Sequence, residues 1–254
     1  MKEIKFVSHI VRNIYLFFTF SVVLDFLFLF HFHISAQQFI FGLVTFSLGY
    51  SAVYFINDSI DYKEDAQYGR ANLYLQIKSK TFYWSLVCFL VIGGLGLSFL
   101  INPIAALLLG ILYLCNLFYS IEPFRLRNRV FLREIAIFFI YAIKLYYVAL
   151  LVAFTPLLFP FPIVMMTGSM AALSVSFYKR YLKRSVIAEY FFGIVFLVSL
   201  VISSLFYPRI FILFFPLVFA VLYLHIRYKT KQIPIGRYQF MYTCYIILVW
   251  FLYR

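Results

Sequence analysis

Charge is scarce in this 254-residue chain: Asp, Glu, Lys and Arg fill 12% of positions, about half the roughly 25% usual in soluble domains. No stretch is polar enough to form a disordered tail or an extracellular head. Cysteine is also rare. Cys88, Cys115 and Cys244 lie far apart inside apolar runs, which excludes a disulfide framework and a CxxC metal site. The four histidines are scattered, and the nearest pair, His31 and His33, has no carboxylate or thiolate close in sequence to complete a metal site. What fills the chain is hydrocarbon. Hydrophobic residues make up 65%, and leaving out the 22 Tyr while counting the 10 Gly still gives about 60%, against roughly 45–50% in soluble domains. An ordinary soluble domain is excluded, and the composition belongs to a bilayer.

A helix needs about 20 apolar residues to cross the hydrocarbon core. Runs of that order predict nine spans: Ile14 to Phe32, Phe39 to Ile56, Phe82 to Ile101, Ile104 to Ser120, Ile135 to Phe154, Leu157 to Phe177, Tyr190 to Tyr207, Ile210 to Ile226 and Tyr238 to Tyr253. The first follows Lys2, Lys5 and Arg12 but is too long for a signal-peptide core. Nine such helices leave too few residues for a second folded domain, so residues 1–254 read as one all-α transmembrane domain. Alternate threading puts the N-terminus and residues 57–81, 121–134, 178–189 and 227–237 on one side, with 19 of the 22 Lys and Arg. By the positive-inside rule that side is cytoplasmic. Opposite connections are short, Asn102-Pro103 and Pro208-Arg209 among them. The net charge of +13 needs no nucleic-acid partner, because juxtamembrane Lys and Arg facing anionic lipid account for it.

Against this background four of the nine acidic residues fall in one segment, Asn57-Asp58-Ser59-Ile60-Asp61-Tyr62-Lys63-Glu64-Asp65. If the second helix continues through it, Asp58, Asp61 and Asp65 stand at i, i+3 and i+7 within an arc of about 60°, with Glu64 pointing elsewhere. Carboxylates crowded on one face repel unless a cation is shared. Mg²⁺ takes a few carboxylate oxygens and completes its shell with water and substrate phosphates. The face reads as a diphosphate-Mg²⁺ site; the plainer alternative is a solvated acidic helix end.

Asn57-Asp58-x-x-Asp61-x-x-x-Asp65 resembles the NDxxDxxxD motif of the UbiA superfamily of intramembrane prenyltransferases, and Tyr119-Ser120-Ile121-Glu122-Pro123-Phe124-Arg125-Leu126-Arg127 is similar to that family's YSxxPxRLK segment. The resemblance implies a bundle of about nine helices enclosing a lateral cavity open to lipid, with its polar mouth on the cytoplasmic side. It implies that Mg²⁺ on the aspartates neutralises a prenyl diphosphate, the allylic C–O bond ionises, and an acceptor attacks the carbocation. On that basis Asp58, Asp61 and Asp65 are catalytic metal ligands and Asn57 binds metal or diphosphate. Tyr119 joins the substrate site, and Arg125 and Arg127 suit phosphate oxygens or lipid head groups.

The family's second aspartate motif, DxxxD after the sixth helix, is missing. The corresponding stretch, Ser176 to Arg184, is basic and contains Lys179-Arg180-Tyr181. Lys179 and Arg180 can hold phosphate directly. A branch of the superfamily, similar to decaprenyl-phosphate phosphoribosyltransferases, carries such a Lys-Arg-Tyr segment and a basic residue in the fifth helix. Here that residue is Lys144, although Leu182 replaces the acid usual in that branch. Lys144 and Asp25 are both expected near the midplane, where a charge costs about 2.5–3.5 kcal/mol. Lys144 is therefore either a phosphate ligand at the cavity floor or the ion-pair partner of Asp25. The many aromatics appear in every span and read as filler and interface anchors. The leading expectation is an Mg²⁺-dependent multi-pass membrane prenyltransferase acting on a prenyl diphosphate or polyprenyl lipid. Phosphoribosyl transfer to a polyprenyl phosphate, terpene cyclisation and a non-catalytic lipid-binding relative are the alternatives.

Overall fold

A computed structural model of the chain describes residues 34–67, 72–153, 161–178 and 186–208. The expected spans Ile14 to Phe32, Ile210 to Ile226 and Tyr238 to Tyr253 lie outside the described residues, as do Asp25, Lys179, Arg180 and Tyr181. The described residues form helices and no strand: α1 (Ala36–Gln67), α2 (Leu73–Gln76), α3 (Lys80–Ile101), α4 (Pro103–Ser120), a 3-10 turn (Leu126–Asn128), α5 (Leu132–Ala153), α6 (Phe161–Tyr178) and α7 (Val186–Phe206). Five of them, α1, α3, α4, α5 and α7, are long and apolar enough to cross a membrane, and α6 is apolar over Phe161–Leu173. The chain is thus an all-helical membrane protein over its described length. Six of the expected spans coincide with α1 and α3 to α7.

Helix ends follow local chemistry. Ser35 and Gln38 form a reciprocal capping box ahead of α1, Gln38 N–H donating to Ser35 Oγ (3.1 Å) and Ser35 N–H to Gln38 Oε1 (3.0 Å). Ser79 caps α3 by accepting from Phe82 N–H. Asn102 alone separates α3 from α4: its N–H donates to Ser98 O, and its Oδ1 accepts from Ile104 N–H at 2.9 Å, with Pro103 in the first turn. The expected minimal turn is therefore present. α5 and α7 start earlier than the apolar runs do, at Leu132 and Val186, because Arg133, Glu134 and Glu189 lie inside the helices and are buried by protein.

The chain divides into two compact units. Of the described residues, the first takes those of Ile34–Arg125 and Tyr147–Leu157, and the second those of Leu126–Tyr146 and Leu158–Arg254. In the first, α1 and α3 cross at glycine: a Cβ on Gly94 would stand 2.4 Å from Gly49 Cα. Small residues let membrane helices approach this closely and gain dispersion energy that lipid cannot supply. Tyr113 OH donates to Gly49 O (2.8 Å), Ser98 Oγ to Gly94 O (2.6 Å), and Tyr147 OH bonds Ser98 Oγ (2.8 Å). These hydroxyls tie four helices where no water competes. In the second unit, a Cβ on Gly168 would meet the Phe138 ring at 2.6 Å. Phe192 stacks on Phe138 with centroids 6.0 Å apart. Many apolar side chains point outward, Ile92, Leu100, Ile187 and Leu205 among them, as hydrocarbon surroundings allow.

Candidate functional site

α1 is 32 residues long, about 48 Å at 1.5 Å per residue, well beyond the roughly 30 Å of hydrocarbon. Its apolar stretch ends at Ile56, and Asn57 to Gln67 continue the same helix past it. The helical phase that aligns Asp58, Asp61 and Asp65 is therefore present. Burial, with Asp65 and Asp61 nearby, pushes the Asp58 carboxyl up to about 7, against the lowering effect of a hydrogen bond from Leu73 N–H. Asp61 Oδ1 is shielded from solvent.

The two motif segments meet in the first unit. Ser120 Oγ, at the last residue of α4, donates to Asn57 Oδ1 at 2.9 Å. Arg125 Nη2 donates to Glu64 Oε2 at 3.0 Å, and its Nη1 reaches Glu122 Oε1 at 3.4 Å. The Arg125 guanidinium is thus held by two carboxylates, and Glu64 faces Arg125. Arg125 adopts a φ of 30°, a conformation uncommon for a side-chain-bearing residue, at the tight turn where its N–H bonds Ile121 O. Tyr119 is buried within α4.

A third segment closes on the acidic face, one that sequence reasoning missed. Asn72 is 1% exposed. Its Nδ2 donates to Asp58 O and to Asp65 Oδ2, both at 2.9 Å, while the adjacent Leu73 N–H donates to Asp58 Oδ2 at 2.9 Å. Aromatic rings hold this segment down: Tyr74 contacts Tyr62 at 5.3 Å and Tyr83 at 5.1 Å, and Tyr83 OH donates to Phe55 O. The only sequence signal was one polar residue in a short apolar stretch, which reads as a turn.

On the side of α1 away from the three aspartates, by helical phase, an open apolar pocket of about 380 Å³ lies between α1, α3 and α4, lined by Ile56, Ile60, Trp84, Val91 and Leu117 among others. Ser59, on its wall, has its hydroxyl satisfied by Ile56 O at 2.7 Å.

The remaining expected site residues belong to the second unit or lie outside the described residues. Arg127 sits buried in the 3-10 turn. Lys144 is 5% exposed within α5, its Nζ 4.3 Å from the Tyr141 ring centroid, a cation-π contact. Arg133 bonds Glu134 Oε1 through Nε (2.8 Å) and Nη2. Lys179 and Arg180 are outside the described residues.

Among the described residues no group of three or more His, Cys, Asp and Glu side chains is arranged to hold a metal ion. Asp58 and Asp65 are seven residues apart, about 10.5 Å along the axis, too far for one ion of about 2.1 Å ligand distance. A cation shared by all three aspartates is therefore not preformed. The donor set nevertheless fits Mg²⁺, a hard cation that takes one or two carboxylates and draws its other oxygens from water and phosphate. Asp61, one turn from either neighbour, can act with each in turn. Compared with known proteins, the chain matches no family model and no curated protein.

Proposed function

We propose that this protein is an Mg²⁺-dependent intramembrane transferase of UbiA type that moves a prenyl group from a prenyl diphosphate to a small or lipid acceptor. The observation that carries the reading is the junction of the two motif segments through Ser120–Asn57 and Arg125–Glu64. The two segments that carry the resemblance, more than sixty positions apart, thus touch at the acidic end of α1. Asp58, Asp61 and Asp65 supply the cation ligands, and Asn57, held by Ser120, faces the diphosphate. Mg²⁺, when bound, neutralises the diphosphate and so makes it a better leaving group. The side on which this chemistry occurs is the cytoplasmic one by the Lys and Arg distribution.

A second reading, phosphoribosyl transfer from phosphoribosyl pyrophosphate to a polyprenyl phosphate, is favoured by Lys179-Arg180-Tyr181 in place of a second aspartate motif. Both readings use the same α1 face. Membranes containing the protein, supplied with Mg²⁺ and either labelled prenyl diphosphates or labelled phosphoribosyl pyrophosphate, separate them. Prenyl label in a new product that depends on Asp61 is expected. Ribosyl label in lipid instead selects the second reading, and no Asp61-dependent transfer from any donor defeats both.

A further inference from the structure

The open pocket between α1, α3 and α4 lies within the first unit, at the end where the apolar stretch of α1 gives way to polar residues. Ile56 and Ile60 line it from α1, Trp84 and Cys88 from the first turns of α3, and Leu117 and Ile121 from the end of α4. Its walls are hydrocarbon. The one hydroxyl on them, Ser59 Oγ, is already satisfied by Ile56 O, so they take an apolar occupant. Trp84 is 44% exposed, and an indole with an apolar body and one N–H belongs at the level of lipid head groups.

Positive charge stands next to this wall. On α1, Lys63 follows Ile60 by three residues and Ile56 by seven; on α3, Lys80 precedes Trp84 by four and Cys88 by eight. By helical phase both lysines share the pocket's face, one turn beyond it on the polar side. Both are exposed. Lys63 Nζ lies 5.9 Å from the Tyr62 ring centroid. Lys80 Nζ donates to Tyr74 O and to Ile77 O (3.1 Å) and stands 3.9 Å from the Tyr74 ring centroid. These partners are neutral, so they cancel neither charge. The acids adjacent to Lys63 and Ile121 in sequence, Glu64 and Glu122, are both turned to Arg125.

We infer that this pocket binds an anionic phospholipid from the leaflet at the C-terminal end of α1: one acyl chain lies along the apolar wall, and the phosphate is held at Lys63 and Lys80. Lysine stems run along apolar surface and carry their ammonium groups to the interface. There each positive charge favours anionic lipid, and basic pockets between membrane helices take such head groups. A zwitterionic lipid fits the same wall but brings its own cation, so the lysines select against it. The pocket lies on the side of α1 away from the aspartates, and the inference goes beyond the proposed reaction without using it.

The chain has two tryptophans, Trp84 and Trp250, so Trp250→Phe leaves Trp84 as a fluorescent reporter in the pocket wall. The full chain with that change is placed in bilayers mixing phosphatidylglycerol and phosphatidylcholine, one of the two carrying brominated acyl chains. Quenching of Trp84 by each lipid gives their relative affinity. A preference for phosphatidylglycerol of about 5- to 30-fold is expected, from one or two lysines at about fivefold each. Lys63→Gln is expected to lower the preference about fivefold, and Lys63→Arg to keep it. Equal affinity for the two lipids, or a preference unchanged when Lys63→Gln and Lys80→Gln are combined, overturns the inference. No quenching by either lipid overturns it too, because protein, such as a second copy of the chain, then covers the pocket.

Discussion

At the scale of single residues, Asp58 is the most informative group. Its carboxyl is pushed up to about 7, chiefly by burial, from an ordinary value of about 3.9. A raised folded-state value means that the folded protein holds the proton more tightly than the unfolded chain. The resulting stabilisation is full below about 4 and is lost as pH rises through about 7. Without divalent cation, the thermal midpoint in detergent is expected to be higher at pH 5 than at pH 8, with the difference reduced in Asp58→Asn. Metal binding runs the other way, because the cation competes with the proton. Mn²⁺ affinity is expected to fall by up to about tenfold per unit as pH drops below about 7, and Asp58→Asn is expected to flatten that slope. The common face of the three aspartates on α1 was legible because their spacing matches a helix. Asn72 was not, since its partners lie 7 and 14 positions away, on a face that helical spacing alone does not connect to it. Arg125 was legible as a basic residue near the site, but its engagement by Glu64, 61 positions earlier, was hidden: a phosphate ligand and an ion-pair partner carry the same charge in sequence.

At the scale of elements, α1 and α3 approach closely at Gly49 and Gly94. A side chain on Gly94 meets backbone at 2.4 Å, whereas Gly96 has nothing within 4 Å. Gly94→Leu is expected to destabilise by about 1–3 kcal/mol or more through overpacking. Gly96→Leu serves as the control, and thermal melts of the two variants in one detergent make the comparison. The Ser120–Asn57 bond joins α4 to α1 at the site. Ser120→Ala is expected to cost about 1 kcal/mol, or about 2–4 °C in midpoint for a chain of this size. Element existence was legible from run length: six runs became helices. Their starts were less so, because a hydropathy criterion stops at charge, and Arg133, Glu134 and Glu189 are helical residues buried by protein. Asn102-Pro103 was readable as a turn because proline fits the first turn of a new helix and Asn caps it.

At the scale of the whole molecule, the distribution of Lys and Arg sets an orientation that can be measured. Single cysteines at Gln67 and Glu122, introduced with Cys88, Cys115 and Cys244 replaced, are expected to react with a membrane-impermeant thiol reagent only from the cytoplasmic face, and one at Asn102 only from the opposite face. Labelling of Gln67 and Asn102 from the same side would contradict the threading. The membrane class was legible from composition alone, and among the described residues five helices are long and apolar enough to cross. The central claim is narrower: the acidic end of α1 binds a cation and a diphosphate together. Its most direct test is the thermal midpoint of the purified protein with Mg²⁺ and pyrophosphate, separately and combined, beside Asp61→Asn. A rise that requires both ligands and vanishes in Asp61→Asn is expected; no rise, or an equal rise in Asp61→Asn, would contradict it.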